Sequence, residues 1–166
     1  MMNHNASGFT LVEMLLVLAI IAIIMTLAIP DQTPRTTKAQ IEEIIKYSDA
    51  IKPAINAYYT SHNHFPANNS EAGLNASDKL ISTLIKETRI EDGAIHFLMG
   101  NNAADVLKNK TLTLQPLIVT GSNSSPIDWS CGYSRVPEGM EAKGKNKTDI
   151  KASYLPIKCL YLEQKK

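Results

Sequence analysis

Two hydrophobic regimes divide the chain. From Phe9 to Ile29 every position is apolar except Thr10, Glu13 and Thr26. A block with no polar face, at ~1.5 Å per residue, predicts a helix roughly 30 Å long, the thickness of a bilayer's hydrocarbon core. Pro30 and Pro34 then predict a bend, because each removes a backbone donor and crowds the preceding turn. Thr37-Lys38-Ala39-Gln40 has the spacing of a capping box and predicts that the helix restarts there. Beyond it, Ile41, Ile44, Ile45, Ile51, Ala54, Ile55, Tyr58 and Tyr59 recur at near-helical spacing, with Glu42, Glu43, Lys46, Asp49 and Lys52 between them. This pattern predicts an amphipathic helix to residue 61 that lays one side on a folded domain and is kinked, but not ended, at Pro53.

After Phe65-Pro66 the composition shifts to Asn, Ser, Ala and Gly, which predicts a loop as far as Asp78, with a short helix over 78–85. The period then changes to two. Lys86 to Glu91, the pair Asp92-Gly93 and Ala94 to Met99 predict a hairpin with Gly at positive φ. Thr111 to Gln115 alternates and runs on into Leu117-Ile118-Val119, with Pro116 marking a bulge or an edge. Gly121 to Pro126 reads as a turn, and Ile127 to Tyr133 as another strand. The expected fold class is α+β: a long N-terminal helical spine, half transmembrane and half amphipathic, packed against an antiparallel sheet of about four strands.

Composition narrows the function. The 166 residues allow one globular domain behind the apolar block, and the net charge of +1 argues against a strongly basic nucleic-acid binder or an acidic tail. The two cysteines, Cys131 and Cys159, sit behind a membrane-crossing segment and read better as one disulfide in an oxidising compartment than as free thiols.

Glu13 is the informative departure in the apolar block. A carboxylate within a transmembrane helix costs up to ~2.5–3.5 kcal/mol at the bilayer centre and less near an end. Either it is solvated at the interface, or it awaits a cation. The block is too long for the apolar core of a cleaved secretory signal, and no A-x-A site follows it. The small residue suited to cleavage, Gly8, precedes the block instead. A cut there would create an amine on Phe9, one helical turn from Glu13 and within reach of the same carboxylate on a helix shifted by a turn.

Gly8-Phe9-Thr10-Leu11-Val12-Glu13, followed by the apolar run to Pro30, resembles the type IV pilin signature. The resemblance implies that a prepilin peptidase cuts after Gly8, that the new amino terminus on Phe9 is methylated, and that Glu13 is the assembly carboxylate. Residues 1–8 offer only His4 and the initial amine as cations, so the cytoplasmic side of this leader rests on the resemblance and the cysteines rather than on charge. The order helix, loop, Asp92-Gly93 hairpin, Leu112/Leu114 strand, Trp129-Ser130-Cys131-Gly132 and Tyr154 to Cys159 is similar to a type IVa major pilin, which implies a C-terminal loop closed by a Cys131–Cys159 disulfide. The implied organisation is a leader at 1–8, a transmembrane and assembly helix at 9–29, an amphipathic helix at 30–61 and an α+β head at 62–166.

Other chemistry is sparse. Lys143, Lys145, Lys147 and Lys151 form a basic segment between the cysteines, offset by Asp149, that could contact DNA or another anion, or simply be solvated. His62 and His64 end the amphipathic helix and His96 lies in a strand, with no Cys or carboxylate at metal-ligand spacing. Asn-X-Ser/Thr triplets begin at Asn68, Asn75, Asn109, Asn123 and Asn146, matches that an Asn-rich chain produces by chance. No phosphate loop, nucleophile elbow or paired catalytic carboxylate is present, so neither catalysis, a metal nor a cofactor is expected. The expected function is a structural subunit of a type IV pilus. Its precursor would be a single-pass inner-membrane protein with a periplasmic head, later polymerised by the pilus assembly machinery into a helical surface filament serving adhesion, twitching motility or DNA uptake. The alternatives are a minor pilin acting as a DNA receptor and a type II secretion pseudopilin.

Overall fold

The computed structural model describes residues 10–28, 33–122 and 124–161. It divides into two units, Met1–Gln32 and Thr33–Lys166. Gly8, Phe9 and Pro30, and with them the expected cleavage point and the first expected bend, lie outside the described residues.

The first unit holds one helix, α1 (Leu11–Ala28). Its described side chains as far as Thr26 are exposed on every side. A helix apolar all round needs an apolar environment from elsewhere, lipid or other helices. Its 18 residues reach about 27 Å, and no helix among the described residues is long and apolar enough to cross a membrane. Phe9 and Ile29, which the sequence adds to the apolar block, are not among them.

In the second unit the amphipathic segment begins earlier than its capping signal. Helix α2 (Thr33–Tyr47) carries Pro34 in its first turn, where the missing N–H forfeits no intrahelical bond. Thr37 is therefore inside the helix rather than at its cap. It is fully buried, and its hydroxyl donates back to the carbonyls of Thr33 and Pro34. At the next proline the α-helix does end. A 3-10 turn (Ser48–Ala50) intervenes, and α3 (Lys52–His62) restarts with Pro53 in its first turn. A proline there would clash with the carbonyl four residues back in a continuous helix, and tightening to 3-10 relieves it. Asn63, at φ 58°, caps α3 by donating its N–H to Tyr59. Ile41, Ile44, Ile51 and Ile55 keep one buried stripe across both helices.

That stripe packs on an antiparallel sheet. Strands β1 (Ile85–Glu91) and β2 (Ala94–Met99) form the expected hairpin, with Asp92 at φ 49° and Gly93 at φ 82°. Both central residues at positive φ make a turn whose twist matches the strands it joins. β3 (Thr111–Val119) is central; β4 (Asp128–Cys131) and β5 (Met140–Ala142) both pair with it, so the order is β1-β2-β3-β4 with β5 added on β3. Pro116 is tolerated inside β3 without a register shift, opposite Trp129, with its carbonyl accepting from Lys143 N–H at 2.9 Å. The expected short helix over 78–85 is instead a turn ending near Leu80, because Leu84 and Ile85 are drawn into the core as β1 begins. The core joins the helix stripe to Ile85, Ile90, Ile95, Phe97, Leu112 and Leu114.

Candidate functional site

Two features of the chain are candidates for function: the start of α1 and the surface of the head. At the start of α1, Thr10 caps the helix. Its hydroxyl oxygen accepts from the Glu13 N–H at 3.3 Å while its carbonyl accepts from Met14 N–H at 3.2 Å. Thr10 and Glu13 thus stand at the N-cap and third positions of a helix start, where a carboxylate faces the positive end of the helix dipole. The Thr-x-x-Glu spacing of Thr10 and Glu13 carries this capping signal in the sequence itself. Glu13 is consequently on a fixed first turn rather than on a frayed end, with its side chain exposed.

In the head, Cys131 and Cys159 form a disulfide across 28 positions. It fastens the end of β4 to a 3-10 turn at Ile157–Cys159, and Tyr133 N–H donates to the Cys159 carbonyl at 2.8 Å beside it. Gly132 turns the chain there at φ 54°, where an added Cβ would come 3.2 Å from the Cys159 carbonyl oxygen. The segment from β5 to Leu155 is closed by this bond and laid along the sheet. Asp149 accepts from Thr111 N–H at 2.6 Å, and the Thr148 hydroxyl accepts from Thr113 N–H at 3.0 Å.

This geometry changes the reading of the lysine segment. Lys143 pairs with Glu141 at 2.7 Å, and Lys147 pairs with Glu91 across the sheet. Lys145 forms no ion pair among the described residues. A phosphate backbone would have to displace two carboxylates to use this segment, so its first role is to fasten the closed loop to β1.

His62 and His64 meet at the end of α3 with ring centroids 5.9 Å apart, while His96 lies apart from them in the sheet. His62 stacks on Tyr58 with ring centroids 4.1 Å apart, and His64 meets the same Tyr58 edge-on at 5.4 Å. His96 is buried in the sheet, and burial lowers its pKa to about 4. Among the described residues no group of three or more His, Cys, Asp or Glu could hold a metal ion.

An apolar helix with a carboxylate on its first turn, and a disulfide-closed α+β head, together define a bacterial filament subunit. The comparisons make the class definite. The model of the pilin family, "Pilin (bacterial filament)", matches residues 37–160, and the prokaryotic N-terminal methylation motif matches residues 3–29. This chain belongs to the pilin family. It is 30% identical to the type IV major pilin protein PilE1 of Neisseria gonorrhoeae over 95% of this chain and 89% of that one. It is 29% identical to the fimbrial protein of Neisseria meningitidis serogroup B, covering 95% and 96%. It is 27% identical to the fimbrial protein EcpC of Eikenella corrodens, covering 96% and 94%. The protein is a structural subunit of homo-oligomeric pili and a prepilin peptidase substrate, not an enzyme, and these relatives do not favour the pseudopilin or DNA-receptor alternatives.

Proposed function

We propose that this chain is the main subunit of a type IV pilus, made as a precursor that is cut between Gly8 and Phe9 and methylated on Phe9. Before assembly, residues 9–29 anchor it in the inner membrane with the head, 62–166, on the periplasmic side; the amphipathic helix within 30–61 joins the two. The assembly machinery then moves it into a surface filament. Leaving lipid for a bundle of like helices exchanges one apolar environment for another, so the polar contacts decide register. The contact we assign to that task is Glu13 with the methylated amine of Phe9 on a neighbouring subunit.

The observation that carries this reading is the exposed carboxylate of Glu13 on the capped first turn of a helix apolar on all sides. Two measurements test it. Intact-mass and fragment analysis of the subunit from sheared filaments should give a chain beginning at Phe9 with one added methyl group. Deleting the gene should remove long filaments from the cell surface in electron micrographs. Abundant pili in the deletion strain would reject the main-subunit reading.

A further inference from the structure

One backbone reversal gathers three rings at the end of α3. Tyr58 and His62, four residues apart, share a face of the helix, and their rings stack with centroids 4.1 Å apart. Residues two apart on a continuous helix do not face each other, so His64 would stand on another side if α3 ran on. Asn63, at φ 58°, ends the helix in a left-handed turn and swings the chain back. His64 then meets Tyr58 edge-on, and the centroids of the two imidazoles are 5.9 Å apart.

The hydrogen bonds fix which nitrogen of each imidazole is left over. His62 Nδ1 lies 3.1 Å from the Tyr58 carbonyl oxygen, and His64 Nδ1 lies 3.1 Å from the Phe65 carbonyl oxygen. A carbonyl oxygen can only accept, so each Nδ1 carries the proton and donates it. In the neutral ring this leaves a lone pair on Nε2, and the bonds of both imidazoles to described residues are made by Nδ1. Both residues are exposed. An Nδ1–H held by a backbone carbonyl, with Nε2 free, is how metal-binding imidazoles are oriented.

Separation and charge select what two such lone pairs take. With metal–nitrogen bonds of ~2.0–2.1 Å and a tetrahedral angle, the centroids of two imidazoles on one zinc ion lie about 5–6 Å apart. The 5.9 Å between His62 and His64 meets that spacing. The pair stands at the negative end of the α3 dipole, which favours a cation. Tyr58 donates its hydroxyl to Glu71 at 3.3 Å, and Glu71 and Asp92 line the same hollow as His64. The lysine of that hollow, Lys143, is paired with Glu141 at 2.7 Å. Among the described residues no third His, Cys, Asp or Glu completes a ligand set, so the remaining positions fall to water.

We propose that His62 and His64 together bind one divalent metal ion of the zinc kind through their Nε2 atoms, with Glu71 and Asp92 supplying negative field rather than ligands. Imidazole donors select such an ion over magnesium or calcium, which take oxygen ligands. The site lies within one subunit, so its test is independent of filament assembly.

The test uses the full-length protein in detergent, without a polyhistidine tag, labelled with ¹⁵N-histidine and titrated with zinc chloride at neutral pH. Magnesium and calcium chloride are the controls. The Nε2 resonances of His62 and His64 should shift together and saturate at one zinc per chain, while those of His96 stay in place. His62→Ala and His64→Ala, both at exposed positions, should each weaken zinc binding at least tenfold by calorimetry. The proposal is overturned if neither resonance saturates, or if only one of the two shifts. It is overturned equally if either variant binds zinc as wild type does while folded by circular dichroism, or if magnesium or calcium at equal concentration displaces the zinc.

Discussion

The side chain of Asn69 bonds to β1 as a neighbouring strand residue would. Its Oδ1 accepts from Ile90 N–H at 2.8 Å and its Nδ2 donates to the Thr88 carbonyl at 2.9 Å. Nδ2 also donates to Asn75 at 3.1 Å, so one amide both blocks the free edge of the sheet and pins the loop that crosses it. An open edge strand is a template for unwanted pairing, and here the loop supplies the cover.

Asn69→Ala would leave the Ile90 N–H and the Thr88 carbonyl buried without partners. Each such group costs about 1–3 kcal/mol, so a loss of roughly 2–6 kcal/mol is expected, visible as a lower urea midpoint for the full-length protein. Asn69→Asp keeps the acceptor for Ile90 and loses both donors, and should fall between. A midpoint within experimental error of wild type for Asn69→Ala would show that water satisfies the edge.

The disulfide gives a second stability prediction. Closing a loop with a separation of 28 residues removes unfolded-state freedom worth roughly 3–4 kcal/mol in the chain-entropy model. Cys131→Ser with Cys159→Ser should lower stability by about that amount. It should first loosen the closed loop, raising amide exchange from Met140 to Leu155 before that of β1 and β2. Uniform exchange through both regions would contradict this order.

How much of this could be read from the chain beforehand depends on range. The hairpin at Asp92-Gly93 and the buried isoleucine stripe were legible because each follows from local geometry and a single period. The disulfide was legible because only two cysteines exist. Thr37 misled, since a threonine that caps and one that bonds back within a helix look alike until Pro34 is seen to open that helix. Met140-Glu141-Ala142 is too short to show a period and becomes β5 only because β3 offers an unpaired stretch. The edge closure by Asn69 and the contact of His96 with Thr113 join residues far apart in sequence, and neither has a local signature.

His96 makes stability depend on pH. Burial holds its pKa near 4 against an ordinary value of 6.5, with the Glu91 carboxylate raising it in part and Lys147 and Arg89 lowering it. The unfolded chain therefore takes a proton below pH 6.5 that the folded chain refuses until about pH 4. Stability from this group is full above 6.5, falls through that interval and levels off below it, a loss of up to about 3 kcal/mol. Glu87 and Glu91, lowered by bonds from Arg89 and Lys147, add a separate loss only below their ordinary value of 4.5. Urea midpoints measured from pH 7.5 to 4 should decline with wild type, and His96→Gln should flatten the upper part, from 6.5 to 4.5. An unchanged slope in that variant would place the titration elsewhere.

Glu13 carries the last prediction. Its N–H is held by Thr10, so the carboxylate projects from an ordered first turn. Substitution by valine leaves the remainder of the apolar block intact and removes the one side chain we assign to pairing with the Phe9 amine of a neighbour. Glu13 lies five residues beyond Gly8, away from the bond to be cut, so Glu13→Val is expected still to yield a subunit beginning at Phe9 in membrane fractions. Filaments, counted by electron microscopy and recovered by shearing, should be absent or at least tenfold fewer. Glu13→Gln, which keeps shape and polarity but not charge, should behave closer to valine than to wild type if the partner is a cation. Normal piliation in the valine variant would sink the pairing argument and leave the carboxylate as a solvated helix-start residue, stabilising α1 through its dipole alone.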